Sequence, residues 1–153
     1  MKKYRVLILA VILILAGGFY TSFSGGKTGA VLPPEVRDHP LFEHYSANFD
    51  YKALTGVVAD LNDDGLDDLL VVFSYDKDSN KMVALLGGDE PVISQIEPAP
   101  LENIMIELKD INNEPPIEFI LSGSKGTYVG YGIYYIEEGR IVNMFDSNME
   151  DCC

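Results

Sequence analysis

The chain has 153 residues, 47% of them hydrophobic, with 9 Tyr, 7 Phe and no Trp. Once an N-terminal leader is set aside this is one ordinary domain, large enough to bury a core without covalent staples. Its 24 acidic residues outnumber 11 basic ones, giving a formal net charge of -13. That balance excludes nucleic acid as a partner, repels anionic surfaces and attracts cations.

Residues 1–21 set the compartment. Lys2, Lys3 and Arg5 precede an unbroken apolar run, 6–16 (VLILAVILILA), the pattern of a secretory signal or signal-anchor. A spanning helix needs roughly 20 apolar residues, a length this run reaches by extending to Phe23. Left uncleaved, it anchors the protein in the membrane with the positive flank inside and the domain outside the cytoplasm. Cleavage after Ala16 or Gly18 would instead give a secreted protein. No Cys follows the run, which excludes a lipoprotein anchor. Residues 22–34 (SFSGGKTGAVLPP) read as a linker, Gly-rich first and then stiffened by Pro33 and Pro34.

The domain is expected over residues 35–148. A short helix is predicted within 35–49, with Pro40 inside it. His39 and His44 flank that proline at a poor spacing for a shared ligand face and read as ordinary histidines. From Ala53 onward, short branched and aromatic runs alternate with turn clusters. They are 54–60, 69–75, 82–86, 104–108, 118–123, 128–136 and 141–145, the last two joined by a hairpin turn at 137–140. The fold class is therefore all-β, mainly antiparallel. In 128–136 (YVGYGIYYI), alternation in a half-buried strand is a simpler reading than a carbohydrate platform.

An internal repeat organises these strands. Asp60-Leu-Asn-Asp-Asp-Gly-Leu-Asp-Asp68 aligns without gaps to Asp110-Ile-Asn-Asn-Glu-Pro-Pro-Ile-Glu118, each copy lying between strands. The spacing predicts two blade-like units, about 54–100 and 104–147, forming a compact sheet or sandwich, since two units are too few to close a propeller.

The first copy carries oxygen ligands at alternate positions. Asp60, Asn62, Asp64, the Leu66 carbonyl and Asp68 match the ligand types that Ca²⁺ takes from a tight loop, and Gly65 permits the turn. An EF-hand would place its bidentate Glu at position 71, which is a valine within the next strand. The loop instead resembles the FG-GAP or VCBS type found between blade strands, and that resemblance implies a structural Ca²⁺ closed by Asp68. The second copy, with Pro115 in place of the glycine, is degenerate.

Residues 149–153 form the last segment, and Cys152-Cys153 are the only two cysteines. A disulfide between neighbours spans no loop and constrains little of the unfolded chain. The functional uses of such a pair are redox exchange, a bond to another chain, or capture of a soft metal, since thiolates select soft ions over Ca²⁺ and Mg²⁺. Nearby Glu150 and Asp151 favour protonated thiols, which weakens a fast nucleophile but not the binding of a cation that displaces the protons. An N-terminal signal or anchor, one domain and a chain closing on Cys-Cys together resemble the Cys-Cys-COOH (seleno)protein family of the selenocysteine-assisted organometal transport and processing system. The resemblance implies a non-enzymatic protein whose Cys152 and Cys153 take up mercury or an organomercurial and hand it to a membrane transporter or reductase. The alternatives are a calcium-stabilised FG-GAP-like adhesion module with the cysteines in an intermolecular disulfide, and a thiol-disulfide exchanger.

Overall fold

The computed structural model describes residues 32–145. The signal or anchor segment 1–21, most of the linker, and Cys152 and Cys153 lie outside the described residues. Among those described, no helix is long and apolar enough to cross a membrane.

Where one helix interrupted by Pro40 was expected, two form: α1 (Pro34–Arg37) and α2 (Pro40–Asn48). Each begins on a proline, whose missing N–H falls where a helix has no acceptor to offer. Pro40 thus starts the second helix rather than breaking the first. His39 caps it, its Nδ1 accepting from Leu41 N at 3.3 Å. The domain also begins earlier than the sequence boundary, because Leu32 packs on the core and the Pro33 carbonyl accepts from Val36 and Arg37.

Nine strands follow in two antiparallel sheets. The first holds β1 (Ala53–Ala59), β2 (Asp68–Asp76), β3 (Ser79–Leu86) and β4 (Val92–Ile93) in that order, with β5 (Glu97–Ala99) also pairing β3. The second runs β6 (Glu102–Lys109), β7 (Glu118–Lys125), β8 (Tyr128–Glu137) and β9 (Arg140–Asn143). The β8–β9 hairpin turns through Glu138 (φ 49°) and Gly139 (φ 77°), the two left-handed residues that a tight hairpin requires.

The sheets pack face to face around Leu70, Val72, Met82 and Ala84 from the first and Phe119, Leu121, Ile136 and Ile141 from the second. The opposite face of the first sheet, carrying Leu69, Val71, Phe73, Val83 and Leu85, is covered by Val36, Leu41 and Tyr45 of the helices. Alternation along β2 therefore feeds two cores, which is why 68–73 is buried without a break. The result is three layers: helices, sheet, sheet.

The repeat is structural. Ala59 pairs with Asp68 in the first unit and Lys109 with Glu118 in the second, at the same offset. Two side chains tie the sheets together at their margins. Asn80 Nδ2 donates to the carbonyls of Pro100 and Leu101 at 2.8 and 3.1 Å. Gln95 meets the backbone of Ile141 twice, donating to its carbonyl at 2.6 Å and accepting from its N–H at 3.2 Å.

Candidate functional site

The acidic loop between β1 and β2 is held by its own side chains. Asp60 Oδ1 accepts from Asp64 N at 3.1 Å, and its Oδ2 from Gly65 N at 2.9 Å. Asn62 Oδ1 also accepts from Asp64 N at 3.1 Å, while its Nδ2 donates to Asp64 Oδ2 at 2.9 Å. Asp64 Oδ1 takes the N–H of Leu66 at 2.9 Å. These are Asx turns, in which short acidic side chains satisfy backbone donors that no strand can reach. Asp63 (φ 61°) and Gly65 (φ 83°) supply the left-handed steps.

Asp68 does something different. It is 0% exposed, and its two oxygens accept from Leu61 N at 2.9 Å and Gly87 N at 2.8 Å. One carboxylate thereby clamps the loop to the start of β2 and to the end of β3. Burial raises its pKa; the two backbone bonds oppose that, and the charges of Asp64 and Asp60 add to it.

The second loop keeps this plan with other residues. Glu118 Oε2 accepts from Ile111 N at 3.0 Å, the counterpart of the Asp68–Leu61 bond. Asn112 Oδ1 takes the N–H of Glu114 at 2.7 Å, as Asn62 takes that of Asp64. Asn113 (φ 59°) stands where Asp63 stands. Pro115 and Pro116, joined by a cis peptide bond, replace Gly65 and Leu66, so the donor that Gly65 gives to Asp60 has no counterpart. What the two copies share is a loop-closing carboxylate on a backbone N–H.

The fit to a cation is partial. Asp60, Asn62 and Asp64 gather their oxygens in one loop, whereas Asp68 is turned into the fold and each of its oxygens already holds a backbone donor. Among the described residues, no group of three or more His, Cys, Asp or Glu is arranged to hold a metal ion. No buried side-chain nitrogen or oxygen among them lacks a hydrogen-bond partner.

A second feature was not expected from the sequence. The first half of β8 is exposed on both faces rather than half-buried: Tyr128 is 82%, Val129 84% and Tyr131 67% exposed. Alternation does hold further on, where Tyr134 stacks on Phe119 at 5.5 Å between ring centroids and Ile136 is buried. Beside the exposed half runs an open groove of about 900 Å³, reaching from Pro98 and Pro100 to Tyr128, Gly130 and Phe145. Strand alternation alone gave no signal of where the facing sheet stops.

No family model, curated protein or solved structure matches the chain.

Proposed function

We propose that the protein is a non-enzymatic soft-metal carrier outside the cytoplasm. Cys152 and Cys153 capture a soft metal ion or organometal, with mercury as the fitting cargo, for delivery to a membrane transporter or reductase. The observation that carries this reading is that the domain closes without cysteine. Residues 32–145 contain none, yet their two cores are filled and their buried polar side chains are satisfied. The only two thiols of the chain therefore have no structural duty within those residues.

Adjacent thiols suit this chemistry. Each sulfur loses its proton to solvent as it bonds the metal, so one Hg²⁺ bound by the pair releases two protons, with no electron transfer. The strongly acidic chain raises the local concentration of cations. The full chain is titrated with Hg²⁺ against a competing small thiol, beside the Cys152→Ser/Cys153→Ser variant. The expected result is one tight equivalent per chain, consuming both free thiols and absent from the variant. Equal retention by the variant sinks the reading.

A second reading, a calcium-stabilised module, is favoured by one observation: Asp60, Asn62 and Asp64 gather in one loop with no basic partner in the described ion pairs. Ca²⁺ would add to the loop's own bonds and neutralise its charge. It predicts a rise in melting temperature with Ca²⁺ that Mg²⁺ does not reproduce and that Asp60→Asn removes. An unchanged melting temperature at millimolar Ca²⁺ rejects it.

A further inference from the structure

β8 has ten residues, Tyr128–Glu137, and β7 pairs with it from Tyr128 to Tyr134. On its other edge β9 has only four residues and pairs only from Tyr134 to Glu137. Among the described residues nothing pairs with that edge between Tyr128 and Gly132. An exposed, apolar, unpaired strand edge is a template for another strand, and folded proteins cover or interrupt such edges. Here the edge is neither charged nor broken by proline.

The chain itself continues at this place. β9 is in register with Asn143 opposite Tyr134, and although the backbone turns at Met144 and Phe145, Met144 N still donates to the Ile133 carbonyl at 2.9 Å. Residues alternate in direction along an antiparallel strand, so the N–H and C=O of Tyr131 and Val129 point the same way as those of Ile133, out of the sheet at the free edge. Continuing the same register sets Asp146 opposite Tyr131, Ser147 opposite Gly130, Asn148 opposite Val129 and Met149 opposite Tyr128. Four residues of chain meet four positions of free edge.

We infer that residues 146–149 add to β8 as an extension of β9, closing the free edge and directing Cys152-Cys153 past the tip of the β7–β8 hairpin. Charge agrees with this placement. The segment brings Asp146, Glu150 and Asp151. The same register carries Glu150 and Asp151 alongside the turn that follows Lys125, a cation with no ion pair among the described residues. The groove agrees as well. Ser147 and Met149 share the parity of Gly130 and Tyr128, the residues that line it, so a thioether enters beside an aromatic ring. Cys152 then stands about three residues, or roughly 10 Å, beyond Tyr128. The two thiols are presented from a fixed end of the sheet. The placement concerns the segment to which the carrier reading assigns its thiols and takes its significance from that reading.

The test is a cross-strand bridge in the full chain carrying Cys152→Ser and Cys153→Ser. Gly130→Cys and Ser147→Cys would occupy a non-hydrogen-bonded pair, where Cα atoms lie roughly 4.5 Å apart, within disulfide range. A Cβ built on Gly130 meets nothing within 4 Å, so the substitution is sterically free. Mild oxidation should give an intramolecular disulfide, about tenfold faster than the Gly130→Cys/Asn148→Cys pair, whose side chains face opposite ways. No bridge, equal rates for the two pairs, or a bridge between two chains each overturns the proposal. Independently, Asn148→Pro should speed amide exchange at Val129 and Tyr131 about tenfold while leaving Val71 unchanged; unchanged exchange at all three overturns it too. Mercury uptake is read on the native cysteines. Uptake without bridging therefore rejects the docking alone, and bridging without uptake rejects the carrier reading alone.

Discussion

Removing the Asp68 carboxylate should be among the most damaging single changes to this domain. Its oxygens hold Leu61 N at 2.9 Å and Gly87 N at 2.8 Å. Bonds to a charged acceptor contribute about 1.5–3 kcal/mol each before the burial of the charge is set against them. That opposing term is real here, since burial and the charges of Asp64 and Asp60 raise the group's pKa. Asp68→Ala strands the buried Leu61 amide and half-strands that of Gly87, for a net loss of about 3 kcal/mol. For a domain of about 100 residues this is a fall of about 12 °C in melting temperature. Asp68→Asn keeps one acceptor and discards the buried charge, so it should lose only about 1–2 kcal/mol. The pH dependence has a definite sign. Because the folded pKa is raised, the folded state holds the proton more tightly than the unfolded one. The resulting stabilisation is fully present below about pH 4, the unfolded value, and is lost as pH rises through the folded value. The deficit of Asp68→Asn against wild type should therefore narrow between about pH 4 and 7. Urea unfolding of the full chain, followed by circular dichroism at several pH values, measures all of this. An Asp68→Ala variant within about 0.5 kcal/mol of wild type would refute the clamp, as would a deficit that widens with pH.

Glu118→Ala, which frees a single backbone donor at Ile111, should cost about 1–2 kcal/mol by the same assay. Tyr45 is buried and donates its hydroxyl to the Tyr51 carbonyl at 3.0 Å, and burial pushes its pKa up to about 12. Its contribution is intact below about pH 10 and lost as pH rises through about 12, so Tyr45→Phe should flatten the alkaline unfolding profile while costing about 1 kcal/mol at neutral pH. Gly123 and Gly130, paired across β7 and β8, should respond oppositely to alanine. A Cβ at Gly123 falls 2.4 Å from Pro100 Cβ and 2.8 Å from the Glu102 carbonyl, whereas one at Gly130 meets open space. Thermal melts should show Gly123→Ala destabilised by about 2 kcal/mol and Gly130→Ala at or slightly above wild type.

The seven predicted strands are all present because each combines branched or aromatic residues with a flanking turn cluster, and tertiary contacts moved only their ends. β4 and β5 escaped notice for physical reasons. Val92–Ile93 is too short and too exposed to show a period, and Glu97–Ala99 carries Pro98, a residue tolerated at a sheet margin and otherwise a sign against a strand. The alignment of 60–68 with 110–118 was legible, but not its full meaning. An acid spaced for a cation and an acid spaced for a backbone N–H look the same in one dimension, and only the fold turns Asp68 inward while leaving Asp64 in the open. The exposed half of β8 was equally hidden, since period-two alternation records two faces but not how far the facing sheet extends. Cys152 and Cys153 stood out by position and by having no other cysteine to pair with.

The way the two units meet has an evolutionary consequence. The face bearing Phe119 and Leu121 in the second unit corresponds to the face bearing Leu69 and Val71 in the first, yet one lies on the preceding sheet and the other under helices. Each sheet thus buries one side against whatever comes before it and presents the other to whatever comes after. α1 and α2 end that series on one side by occupying the place of a predecessor. On the other side, Ile120 and Ser122 present the parity that Leu70 and Val72 present within the domain. A gene segment encoding one such unit can be copied in tandem without inventing a new contact, because the surface a newcomer must fit is already encoded in the unit before it.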